Sequence, residues 1–71
     1  MSQKSRQMRA ERAERNRVLS ELNEIRGSLG AAYRSFNNTT DPDLLDASIY
    51  EINALRARYD HALRRAKTRL A

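Results

Sequence analysis

The chain's single proline lies inside its only turn-rich cluster, Asn37-Asn38-Thr39-Thr40-Asp41-Pro42-Asp43, and long amphipathic segments run away from it on both sides. Proline has no backbone N–H and breaks a helix interior, but it suits the first helical turn. The cluster therefore closes one helix and opens another, with Thr40 or Asp41 as the cap of the second. Downstream, apolar residues recur at Leu45, Ile49, Ile52, Tyr59, Leu63, Ala66 and Leu70, at steps of three, four and once seven. Arg56 stands in the skipped position, and Leu44, Leu55 and Ala62 widen the stripe. Upstream, Val18, Leu22, Ile25, Leu29, Ala32 and Phe36 alternate steps of four and three, with Leu19 and Tyr33 beside them. Such spacing gathers apolar side chains on one helix face. It predicts helix 1 from about residue 5 to 36, a turn over 37–41 and helix 2 from about 42 to 70.

A short turn between two amphipathic helices predicts an all-α fold, an antiparallel two-helix hairpin. Asp43 and Asp46 lie near the positive end of the second helix dipole, and Arg64, Arg65, Lys67 and Arg69 near its negative end. With the turn centred near residue 40, the numbers of facing residues should total about 80. That register sets Arg34 against Asp46, Glu24 against Arg56, Glu21 against Arg58, Glu14 against Arg65 or Lys67, and Glu11 against Arg69. Every pair is opposite in sign. Arg56, inside the stripe, most needs its partner Glu24. Gly27 and Gly30 each weaken helix 1 by roughly 1 kcal/mol relative to alanine. They are expected to let the neighbouring helix approach closely, or else to act as a hinge.

Residues 1–17 differ from the 18–71 hairpin. Carried backward, the apolar phase meets Arg15, Glu14, Glu11 and Met8. Arg6, Arg9, Arg12 and Arg15 spiral round the helix instead of sharing one face. Alanine, arginine and glutamate favour helix, so a basic helical arm prone to fraying is expected. No long apolar segment follows these charges, so neither a secretory leader nor membrane insertion is expected, and the natural location is the cytoplasm.

At 71 residues the chain is one small domain, and a chain of about 60 residues buries only roughly 60% of its unfolded surface, so its stability alone would be marginal. It has no cysteine and one histidine, so disulfides, a thiolate metal site and an ordinary zinc site are not expected. What remains to support the fold is tight helix packing, or association with a second copy. A candidate surface exists. Tyr50, Ala54, Ala57 and His61, preceded by Ala47, follow at steps of three and four, roughly opposite the main stripe of helix 2. Small residues with one tyrosine suit close helix contact, although an alanine-rich solvent face has the same spacing. The favoured reading makes these residues a partner contact, with two hairpins dimerising into a four-helix bundle.

No catalytic constellation can be assembled. Serines have no cysteine, histidine or lysine arrangement beside them that the sequence supports. The carboxylates Asp41, Asp43, Asp46 and Glu51 are accounted for by capping and by the helix dipole. Gly27-Ser28-Leu29-Gly30 lacks phosphate-loop spacing. No enzyme, metal or cofactor is therefore expected. The net charge of +5 leaves an acidic protein or nucleic acid as the alternative partner. Arg6, Arg9, Arg12, Arg15, Arg64, Arg65, Lys67 and Arg69 are the candidate phosphate contacts. No aromatic residue lies among the basic ones of the arm, so such binding would follow the backbone, ignore sequence and weaken with salt.

Several short motifs carry a family resemblance. They are Tyr33-Arg34-Ser35-Phe36, Thr40-Asp41-Pro42-Asp43-Leu44, Asp46, Ile49-Tyr50-Glu51-Ile52, Arg58-Tyr59 and Leu63-Arg64-Arg65-Ala66-Lys67. Over residues 33–67 the chain resembles the YaaL-like proteins, small bacterial proteins of unknown function; the basic arm lies outside the matching stretch. The resemblance implies a short cytoplasmic helical protein and brings no activity, cofactor or binding residue with it. Members are often encoded near recombination genes, which favours a nucleic-acid-related role by association alone.

Overall fold

The computed structural model of the chain describes residues 2–70, with Leu70 described by its backbone alone. It contains two helices, α1 (Gln3–Asn38) and α2 (Pro42–Leu70), packed as an antiparallel hairpin with principal extents of 60 × 18 × 12 Å. Local chemistry fixes both helix starts. The Ser2 side chain accepts the Ser5 N–H at 3.2 Å to cap α1. Asp41 caps α2, its Oδ1 accepting the N–H groups of Asp43 at 2.9 Å and Leu44 at 3.4 Å, with Pro42 following in the first turn. The Asp41 carbonyl accepts the Leu45 N–H at 2.9 Å. Thr39 is extended and its Oγ1 accepts the Asp41 N–H at 3.2 Å. The three residues between the helices thus satisfy donors at the start of α2 that would otherwise be unpaired.

The α1 stripe lies where its spacing puts it. Val18, Leu22 and Ala32 are buried, and Ile25, Leu29 and Phe36 are half-buried. On α2 the phase differs from expectation. The residues turned inward are Leu45, Ser48, Ile52, Leu55, Tyr59, Ala62 and Ala66, an unbroken alternation of three and four. Ser48, Leu55 and Ala62 replace Ile49, Arg56 and Leu63 at the centre of the contact. Ile49 is 44% exposed and Arg56 is exposed, while Leu63 packs at the margin. Packing explains the change. Val18 and Leu22 meet Ala62 and Ala66 in one cluster, and large side chains on α1 need small ones opposite if two helix axes are to approach. Leu70, the last residue of the expected stripe, has its side chain outside the described residues.

The register is also displaced. The Val18–Leu22–Ala62–Ala66 cluster, the ion pairs Glu14–Arg69 and Glu21–Arg65 (3.8 Å), and the Arg26–Tyr59 hydrogen bond all give facing numbers that total about 84, not 80. This is a slip of one helical turn, ~6 Å. The extended Thr39 carries the chain beyond the end of α1 before α2 turns back. Of the expected cross-pairs, Glu14 and Glu21 do bind α2, but each with a residue further along it: Arg69 in place of Arg65 or Lys67, and Arg65 in place of Arg58. Among the described residues Glu24 and Arg56 make no ion pair, and being outside the seam Arg56 does not need one.

In this register the end of α2 lies level with about residue 14. Residues 3–13 of α1, about eleven residues or ~16 Å of helix, therefore project past α2. α1 is continuous through both glycines. A Cβ added to Gly27 would meet nothing within 4 Å, and one on Gly30 would meet only the Arg34 guanidinium, at 3.3 Å. The expectation that these glycines admit the neighbouring helix is therefore corrected: α2 does not approach either of them.

Candidate interaction surface

The hairpin presents four surfaces to solvent: two lateral sides spanning both helices, the outer side of α1 and the outer side of α2. The four residues proposed from spacing as a contact all lie on the outer side of α2. Ala54, Ala57 and His61 are exposed, and Tyr50, at 77%, is the most exposed of the large apolar side chains among the described residues. Further along the same helix, His61, Arg64, Arg65, Thr68 and Arg69 line a shallow depression. Its floor is held by the Thr68 hydroxyl, which donates to the Arg64 carbonyl at 3.1 Å. The structure thus brings three of the eight candidate phosphate contacts together here. Lys67 projects elsewhere on the helix, and Arg6, Arg9, Arg12 and Arg15 are exposed around α1, the first three on its overhang.

The two lateral sides differ in charge. One carries the cross-helix ion pairs. Glu14 binds Arg69 of α2 and also its own helix neighbour Arg17, whose Nη2 donates at 2.7 Å and Nε at 3.2 Å to the same carboxylate oxygen. Glu21 reaches Arg65 at 3.8 Å. Arg17, Arg65 and Arg69 on this side are therefore paired. The pairs also hold Arg65 and Arg69 within the hairpin, which reduces what these two can offer a phosphate.

The opposite lateral side is apolar and basic. At about 100° per residue, Leu19, Arg26 and Tyr33 share one line on α1, and Ile49, Arg56 and Leu63 share one on α2. Both lines repeat at seven residues. The register sets Leu19 level with Leu63, Arg26 with Arg56, and Tyr33 with Ile49, to within about one half-turn. Leu19, Tyr33 and Ile49 are each 44% exposed. Arg26 leans across the seam, its Nη2 donating to the Tyr59 hydroxyl at 2.9 Å and its guanidinium carbon 5.8 Å from the ring centre. Sequence reasoning singled out Leu19, Tyr33, Ile49, Arg56 and Leu63 but neither Arg26 nor the surface; no spacing signal marks Arg26, whose role comes from its contact with Tyr59 across the seam. The surface exists only once α2 has turned Ile49 and Arg56 out of the seam and left Leu63 at its margin.

Among the described residues no group of three or more histidines, cysteines or carboxylates could hold a metal ion, and no helix is long and apolar enough to cross a membrane.

Comparison with known families places this hairpin. A family model described as a protein of unknown function, DUF2508, matches residues 1–71. The chain belongs to the DUF2508 family. The match takes in the basic arm, which lies outside the resemblance over residues 33–67. No curated protein and no solved structure matches it.

Proposed function

We propose that this DUF2508 protein is a non-enzymatic helical interaction module that self-associates through the outer side of α2, with Tyr50, Ala54, Ala57 and His61 as the contact. The observation that carries the reading is the 77% exposure of Tyr50, on a line of small side chains, in a hairpin whose seam, among the described residues, buries Val18, Leu22 and Ile52 as its only larger side chains. A second copy would cover the tyrosine and complete a four-helix bundle. The YaaL-like motifs support a bacterial, cytoplasmic setting for that module. Ala54→Glu places a charge in the middle of the contact. Sedimentation equilibrium should then report a monomer while far-UV circular dichroism stays unchanged; a persisting dimer removes the outer side of α2 from consideration.

A second reading has one observation of its own: the basic helix of residues 3–13 projects beyond α2, free to lie along a phosphate backbone. Binding of duplex DNA or single-stranded RNA that falls steeply with salt, and is largely lost when residues 1–16 are removed, would favour it. Absence of binding at low salt would dismiss it.

A further inference from the structure

We infer that the apolar, basic lateral side is a docking groove for an acidic amphipathic helix of another protein, one with apolar residues about seven positions either side of a central carboxylate. Three features point to that occupant. The first is shape. Two parallel lines of side chains on adjacent helices leave a groove between them, and a third helix fills such a groove by ridge-into-groove packing.

The second is the order of chemistry along the groove. Leu19 and Leu63 make one apolar rung, Tyr33 and Ile49 the other, and Arg26 and Arg56 the rung between. Neighbouring rungs are seven residues apart, ~10 Å. A bound helix must therefore offer apolar, acidic and apolar side chains at that spacing. Arg26 spends only one N–H on Tyr59, so most of its donor fork is available to a carboxylate. Arg56 makes no ion pair among the described residues.

The third is the charge around the groove. The side continues along α1 through Arg15 and Arg12, with Glu11 beside them, to Met8, which is 53% exposed, and α2 adds Lys67 at its edge. Asp60 borders the groove on α2, whereas Glu14 and Glu21 lie on the other lateral side in their ion pairs. The groove is thus cationic at its centre, whereas Arg17, Arg65 and Arg69 on the opposite side are held in ion pairs. A second copy of this chain is a poor occupant, because a two-fold axis through the middle rung sets Arg26 and Arg56 against themselves. This surface is distinct from the outer side of α2, so either can fail without the other.

The test uses the full chain and a designed probe: a helical peptide of about 18 residues, ~27 Å long, with leucines seven residues before and after a pair of glutamates, and a companion with lysines in their place. Amide chemical shifts of Leu19, Tyr33, Ile49 and Leu63 should move with the glutamate peptide while those of Tyr50 and Ala54 stay. Its affinity should exceed that of the lysine peptide by about tenfold or more. Because Arg26 remains in the same rung, Arg56→Gln, at an exposed position, should reduce the preference and Arg56→Glu should abolish it; circular dichroism checks that both variants remain helical. The monomeric Ala54→Glu variant should bind as the parent does, which separates this result from the fate of the self-association reading. Equal affinity for the two peptides, shifts confined to the Tyr50 side, or no binding of the glutamate peptide would overturn the inference. So would phosphatidylglycerol vesicles binding in an Arg56-dependent way where the peptides do not, since that result assigns the groove to a membrane surface.

Discussion

Replacing Gly27 with alanine should stabilise the protein, and the size of the gain follows from the structure. Gly27 sits inside a 36-residue helix, no glycine has a positive φ, and a Cβ built there touches nothing within 4 Å. The substitution therefore adds no clash and no packing. What changes is the conformational freedom lost on folding, which disfavours glycine in a helix interior by about 0.8–1.0 kcal/mol relative to alanine. For a domain of this size each kcal/mol moves the midpoint by about 4–8 °C, so Gly27→Ala should raise Tm by roughly 3–8 °C. The assay is thermal and urea unfolding followed by far-UV circular dichroism, repeated at several protein concentrations because self-association would shift Tm by mass action. The urea m-value should stay constant, showing that the surface exposed on unfolding has not changed. A loss of stability, or a gain below about 0.3 kcal/mol, would refute the argument. It would mean that the glycine supplies bending that the straight helix does not display. Should Gly27→Ala stabilise the chain yet weaken partner binding, the glycine acts as a hinge in the bound state.

Four further outcomes are expected. Asp41→Ala removes the acceptor of two N–H groups at the start of α2 and should cost about 0.5–2 kcal/mol by urea unfolding, with Asp41→Asn recovering most of it. Ala62→Leu overfills the seam and should destabilise by about 1–3 kcal/mol, whereas Ile49→Ala, at a 44% exposed position, should cost well under the ~2–5 kcal/mol of a buried large-to-small change; the reverse ranking would restore the phase expected from spacing. Glu14→Gln breaks the link to Arg69 and Arg17 at a half-exposed site and should lower stability by about 0.2–1 kcal/mol at low ionic strength, an effect that fades in high salt. Tyr59→Phe deletes the acceptor of Arg26 and should cost about 0.5–1.5 kcal/mol by the same unfolding measurement.

The sequence alone determined that there are two helices, where they part and which face of α1 is buried. The reasons are local. Pro42 and Asp41 act through their own backbone neighbours, and the stripe from Val18 to Phe36 admits a single phase because no competing apolar line of comparable length lies beside it. On α2 two lines compete, one through Ile49, Arg56 and Leu63 and one through Ser48, Leu55 and Ala62. The large apolar side chains Ile49 and Leu63 favour the first, although Arg56 interrupts it. Contact favours the smaller residues of the second, because Val18 and Leu22 already fill the space between the axes. Likewise the linker's composition announced a turn, but the one-turn slip in register depends on how the extended Thr39 places α2 beside α1. That slip and that rotation decide which arginines are paired, how far the basic helix overhangs, and that an apolar groove with a cationic centre exists at all. Each is a relation between residues distant in the chain. Periodicity along one helix carries no information about the shape of the helix it will meet, so only the packed pair could settle them.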